Sequence, residues 1–217
     1  MPRESSKRPK FKRSHGPRRR IFIALSVPKE TKEEIARVTQ NLQKKNFPVV
    51  WQDPEKAHIT LIFLGHIAQE RFEAAVSAVK KVAELQSPFE LSTGQLDYFY
   101  SSTENSDSVI LVGIQDPDRT LRNLYKELRN ALGEEEFSPP TRLHPHITIG
   151  RLKKQKDRKH QTEMLLSLVE EPVEGKTITV KSIGVMESIP DRGATIAGET
   201  TKTRNRLLND IPLRKNG

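Results

Sequence analysis

The sequence predicts an α+β protein made of two similar lobes, and three observations lead there. Strand and helix patterns mix without the strict alternation of a parallel, doubly wound sheet. The strand patterns at 89–99 and 109–114 have a polar loop and no helix between them, which favours antiparallel pairing. Finally, the tetrapeptide His58-Ile59-Thr60-Leu61 returns 88 positions later as His146-Ile147-Thr148-Ile149, each time in a strand pattern, as an internal duplication would leave it.

The elements follow in order. Residues 20–27 (RIFIALSV) read as a strand stopped by Pro28. Ile35, Val38 and Leu42 recur at helical spacing within 29–45, and 47–51 is a short strand. Asp53-Pro54 marks a turn, and 58–64 (HITLIFL) is a strand ended by Gly65. Phe72, Ala75, Val76, Val79 and Val82 place a second helix over 69–85. Residues 118–132 carry the clearest helical pattern, with Asp118 as N-cap, a stripe of Leu121, Leu124, Leu128 and Leu132, and Gly133 as the stop. Pro139-Pro140 leads to a strand at 146–152, followed by a polar helix near 157–169 and a strand over 177–186. Residues 193–209 are basic and poorly patterned, and no regular structure is expected there.

Charge is distributed unevenly. The first twenty residues hold nine Lys/Arg and one Glu, so the net charge of +9 belongs almost wholly to them. A segment of Lys, Arg, Pro and Ser with one aromatic buries too little apolar surface to offset its ordering entropy, so 1–19 is expected to be a disordered basic tail. Residues 20–213 are expected to form the two-lobed domain. As a polycation, the tail 1–20 can add an RNA contact through counterion release, and it can equally be a solubilising extension. The chain contains no cysteine, which excludes disulfides and thiolate chemistry. It shows neither a signal-peptide pattern nor a membrane-spanning apolar run, so a cytoplasmic protein with no membrane partner, acting as a monomer, is expected. Walker-type, Gly-x-Gly-x-x-Gly and Gly-x-Ser-x-Gly patterns are missing, which leaves nucleoside triphosphate, dinucleotide and hydrolase-elbow chemistry without support.

The repeated tetrapeptide carries the chemistry. Side chains alternate along a strand, so His58 and Thr60 share one face while Ile59 and Leu61 enter a core. His146 and Thr148 share a face in the same way. Two imidazoles facing each other across a cleft can act as general base toward water and general acid toward a leaving ribose oxygen, since imidazole titrates near neutrality. The threonine hydroxyls can donate to the nonbridging oxygens of a phosphate. This scheme uses no metal and no cofactor. A lone His-x-Thr is commonly a satisfied half-buried pair, but packing gives no reason for it to recur. His144 and His146 share parity as a His-x-His metal pair would, yet Pro145 and the lack of a carboxylate or cysteine cluster argue against that reading.

The stretches His58-Ile-Thr-Leu-Ile-Phe-Leu-Gly65 and Pro145-His-Ile-Thr-Ile-Gly-Arg151 resemble the paired signatures of the two-histidine (2H) phosphoesterases. Trp51 and the opening Arg20-Ile-Phe-Ile-Ala-Leu strand are similar to the branch of RNA 2′,3′-cyclic phosphodiesterases once called 2′-5′ RNA ligases. The resemblance spans roughly residues 20–190 and implies two lobes of antiparallel sheet, with outer helices, around a V-shaped cleft. It further implies hydrolysis of an RNA-terminal 2′,3′-cyclic phosphate to a 2′-phosphomonoester, with His58 as proton donor and His146 as proton acceptor, and a reversible 2′-5′ ligation of RNA ends. Arg151 matches a substrate-binding basic residue of the family, although its offset of five from His146 places it on the opposite face of a regular strand. A bulge at Gly150 would restore it. Phe22 offers either a base-stacking ring or a core residue. Near the end, where the family has Gly-Ala-x-Tyr and a short strand, this chain reads Gly193-Ala-Thr-Ile. Two other readings keep the same residues: a phosphodiesterase for small cyclic nucleotides or 2′-5′ oligonucleotides, and a non-catalytic RNA- or nucleotide-binding module.

Overall fold

In the computed structural model, residues 16–101, 106–190 and 203–214 are described; the expected disordered tail, up to residue 15, lies outside them. The elements run β1 (Arg19–Ser26), α1 (Lys29–Gln43), β2 (Val49–Trp51), β3 (His58–Ile67), α2 (Gln69–Ala83), β4 (Phe89–Phe99) and β5 (Ser108–Gln115). They continue as α3 (Thr120–Glu134), β6 (His146–Leu152), α4 (Arg158–Val169), β7 (Thr177–Val180), β8 (Ser182–Pro190) and β9 (Thr203–Pro212). The fold is α+β, with one sheet ordered β3-β1-β8-β9, another ordered β2-β6-β5-β4-β7, and antiparallel pairing throughout.

The two sheets repeat one plan. In each, the strand carrying a His-x-Thr (β3 or β6) pairs with the strand two or three elements before it (β1 or β5). A third strand, β8 or β4, flanks that pair, and a fourth, β9 or β7, closes the edge. Strand β2 is an addition to the second sheet. The central strand β1 is the most continuously apolar segment and is buried along both faces from Ile21 to Leu25, as expected for a strand covered on each side.

The helices cross between lobes. α2 follows β3 and lies against β8 and β9 of its own sheet, while α3, which follows β5 of the other sheet, packs on α2. The apolar stripe of α3 (Leu121, Leu124, Leu128 and Leu132) is buried in the core, each leucine contributing about 1.5–3 kcal/mol by leaving water. Conversely, α1 follows β1 but is tied to the α4 region of the other lobe. Lys45 donates to the Ser167 carbonyl (2.6 Å), Asn41 to Glu171 (2.8 Å), and Arg37 to the Pro172 carbonyl (3.1 Å). Buried Glu34 accepts from Arg37 through both carboxylate oxygens (2.7 and 2.9 Å) and from the Glu174 amide (2.8 Å).

Several expectations are corrected. The strand expected over 177–186 is two strands in different sheets, β7 beside β4 and β8 beside β1, with Lys181 at the changeover. Part of the stretch expected to lack regular structure is β9, which pairs with β8 along its length; residues 191–202 lie outside the described residues. Asp118 does not cap α3. Arg119 is the N-cap residue, at φ +57°, and the Asp116 carboxylate accepts from the amides of Leu121 (3.1 Å) and Arg122 (3.0 Å). Gly133 lies within α3, and the left-handed residue beyond the helix is Glu136, at φ +62°. Gly65, at φ +76°, bends β3 without ending it.

Candidate active site

His58 opens β3 and His146 opens β6, and these two strands touch across the two sheets. Each imidazole is anchored identically. His58 Nδ1 lies 2.7 Å from the carbonyl oxygen of Lys56, and His146 Nδ1 lies 2.6 Å from that of His144, in each case two residues back. A carbonyl oxygen only accepts, so Nδ1 must carry the proton. This fixes the tautomer: Nε2 is left with a lone pair when the ring is neutral and with a proton to give when it is charged.

Each ring also rests on a phenylalanine. Phe22 lies 5.3 Å from His58 between ring centroids, and Phe99 meets His146 edge-on at 5.0 Å. Burial holds the pKa of His58 below the ordinary imidazole value, and the neighbouring His146 lowers it further, while the Lys56 carbonyl pulls it upward. His146 is lowered for the same principal reason, burial, opposed by the His144 carbonyl and assisted by the positive charges of His144 and Arg151.

Pairing register shows which side chains share the face of each histidine. In the first sheet His58, Thr60 and Phe63 stand opposite Ser26, Ala24 and Phe22. Those partners are two apart in a regular strand, so all three side chains point the same way, and Leu61 is the extra residue of a bulge. In the second sheet His146, Thr148 and Arg151 stand opposite Gly113, Leu111 and Val109, with Ile149 as the extra residue. The bulge therefore brings Arg151 round to the face of His146 and Thr148. Gly150 is required beside it, because a Cβ there would lie 2.9 Å from both the Trp51 ring and a Val49 methyl. Trp51 thus packs across the bulge.

The two lobes differ at one equivalent position: five residues after the histidine stands an arginine in one and a phenylalanine in the other. Phe63 is 61% exposed, and sequence reasoning missed it although it occupies the same offset as Arg151. Phe22 is corrected as a base-stacking residue. At 2% exposure, with its ring between His58 and Phe63 (5.7 Å to the latter), it has no face open to a base. Phe99, at 39% exposure, was also missed, since nothing in the sequence near residue 99 points to residue 146. Together the site offers two Nε2 atoms, two hydroxyls, one guanidinium and an exposed aromatic ring, a set suited to a phosphate diester bearing a nucleoside.

Comparison with known proteins agrees with this architecture. An RNA 2′,3′-cyclic phosphodiesterase of Thermotoga maritima is 34% identical over 140 residues, covering 64% of this chain and 73% of that protein. An RNA 2′,3′-cyclic phosphodiesterase of Methanothermobacter thermautotrophicus is 24% identical over 169 residues, covering 78% and 89%. Among solved structures, a Thermus thermophilus protein matches with a TM-score of 0.69 at 20% identity, covering 91% of this chain and all of that one. Apo E. coli LigT matches with a TM-score of 0.63 at 22% identity, covering 92% of this chain and all of that one, a likeness of fold. The sequence pattern of the 2′-5′ RNA ligase superfamily matches residues 27–192, and the chain belongs to that superfamily.

Proposed function

We propose that the chain is a hydrolase that opens a 2′,3′-cyclic phosphate at the end of an RNA, leaving a 2′-phosphomonoester. The carrying observation is the matched pair of Nδ1–carbonyl bonds, which leaves both histidines presenting Nε2 from strands that touch. Neutral His146 takes a proton from water at Nε2 as the water oxygen bonds to phosphorus. The bond from phosphorus to O3′ breaks, and protonated His58 delivers its Nε2 proton to that oxygen. Burial lowers the pKa of His146 and the Arg151 charge adds to that in the same direction, which favours the neutral form a base needs. With His146 neutral, His58 is relieved of the repulsion that opposes its own protonation. Thr60 and Thr148 donate to the nonbridging oxygens, and Arg151 balances the charge that collects on them. Phe63 offers a stacking surface for the terminal base, while Phe22 serves as the shelf beneath His58. The relatives named above, called RNA 2′,3′-cyclic phosphodiesterases, support RNA as the substrate class. The enzyme acts as a cytoplasmic monomer, and residues 1–20 add a sequence-independent electrostatic contact to RNA.

The test is hydrolysis of an oligoribonucleotide ending in a 2′,3′-cyclic phosphate, in EDTA. Formation of the 2′-phosphomonoester is expected, with His58→Ala and His146→Ala each slowing it about 10²–10⁴-fold. Unchanged rates in both variants would overturn the mechanism.

A further inference from the structure

The surface outside the site carries one charge arrangement that the chemistry above does not use. On α3, Arg122, Lys126 and Arg129 recur at spacings of four and three, which places them along one flank of the helix, beside the buried leucine stripe, and Arg119 stands just before the helix as its N-cap residue. Glu127 and Glu134 fall on the opposite flank, so the signs are sorted and not interspersed. Among the described residues, the side chains of Arg119, Arg122 and Lys126 have no hydrogen-bond or ion-pair partner, and the same holds for Arg142. The cations of α1 behave differently: Lys29, Lys32 and Arg37 are all paired with glutamates.

The cationic flank leads into the site. Tyr125 Oη donates to the Pro140 carbonyl (2.6 Å), and Arg129 donates to the Thr141 carbonyl (3.4 Å). These bonds lay the segment before β6 along that flank. Exposed Arg142 follows, then His144, whose carbonyl orients His146. Thr141 and His146 are five residues apart, a span of at most about 17 Å. At the other end of the helix, Arg119 lies six residues beyond Gly113, the register partner of His146. Short stretches of chain therefore join both ends of this cationic flank to the strands that carry the site.

We propose that Arg119, Arg122, Lys126, Arg129 and Arg142 bind the phosphate backbone of the RNA upstream of the reacting end. This deepens the proposed function by assigning a preference for an oligonucleotide over a nucleoside cyclic phosphate, and for its substrate class it rests on that reading. Single-stranded RNA is the partner this charge pattern fits: four exposed cations and the half-buried Arg129, with no exposed aromatic among them, track a backbone and read no bases.

The test compares kcat/KM for a 12-nucleotide RNA ending in a cyclic phosphate with that for cytidine 2′,3′-cyclic phosphate. The Arg122→Gln/Lys126→Gln double variant is expected to lower the 12-mer to mononucleotide ratio at low salt, and between about 50 and 200 mM salt that ratio should fall roughly seven-fold less than in the wild type. The slope of log(kcat/KM) against log salt for the 12-mer should flatten by about 1.4, the single-strand value for two lost contacts. Glu127→Gln, on the other flank, should leave ratio and slope at their wild-type values. An unchanged ratio or slope in the double variant overturns the proposal, as does an equal fall on both substrates. Fluorescence anisotropy with a labelled 12-mer bearing a 3′-phosphate reads the same contacts without turnover. Weaker binding by the double variant of a wild type that hydrolyses neither substrate would uphold the track and refute the cyclic phosphodiesterase reading.

Discussion

Replacing Gly150 by alanine adds one methyl group at the bulge that sets the direction of Arg151. The added Cβ would lie 2.9 Å from Cε3 of Trp51, 2.9 Å from Cγ1 of Val49 and 3.2 Å from Cζ3 of Trp51, where carbon atoms rest at about 3.5–4.0 Å. Neither neighbour yields easily. Trp51 and Val49 both pack against the core, and β2 is held by its ladder with β6, by Gln52 donating to the Ile149 carbonyl (2.9 Å) and by Lys153 donating to the Pro48 carbonyl (2.9 Å). Overpacking of this kind costs about 1–3 kcal/mol, and a loss of 2 kcal/mol in a chain of this size lowers Tm by roughly 4–8 °C. The strain falls between Thr148 and Arg151, so kcat/KM on a cyclic-phosphate RNA should drop as well. Val49→Ala removes one of the two shortest contacts and leaves the other. In the Gly150→Ala background it should restore part of the lost Tm, and a double-mutant cycle should give a coupling of about 1 kcal/mol. Gly150→Ala melting within 1 °C of wild type, or a cycle with no coupling, would refute the claim that packing of β2 over the bulge fixes this part of the site.

Three further outcomes follow from the site. The pH profile of kcat/KM should be bell-shaped with its maximum below about pH 6.5, because burial lowers both histidines and one must be neutral while the other is charged. Removing the Arg151 charge with Arg151→Leu raises the pKa of His146, so the acidic limb should move to higher pH; movement of the basic limb in its place would reverse the roles assigned to the pair. Phe63→Ala should raise KM for the RNA roughly 5–100-fold through lost stacking, with Tm nearly unchanged because the ring is mostly exposed. A large loss of Tm with an unaltered KM would make Phe63 a packing residue.

The repeated His-x-Thr was legible because period-two alternation and a repeated polar pair both survive in a bare sequence. Arg151 and Phe63 were harder, since a bulge is a property of two strands and the partner that reveals it lies tens of residues away. The division between β7 and β8 did leave a trace: the buried residues change parity from Ile178 and Val180 to Ile183 and Val185, as a chain passing between sheets requires. β9 left almost none. It is an edge strand with Arg204 and Arg206 exposed, its pairing with β8 is bulged, and its conformation is imposed by that partner. The caps of α3 misled because Asp116, two residues before the expected Asp118, reaches the free amides. Phe22 is buried and Phe63 exposed although both stand on one face of paired strands, and a sequence does not show which of two such rings covers the other.

The division of both sheets along the chain has a consequence for how the molecule arises. A chain cut in the loop between β4 and β5 would yield one piece with β1, β3 and β4 and another with β5, β6, β8 and β9, so each sheet would be shared between the pieces. Neither could close its own interior, so the halves should be recovered folded only when mixed.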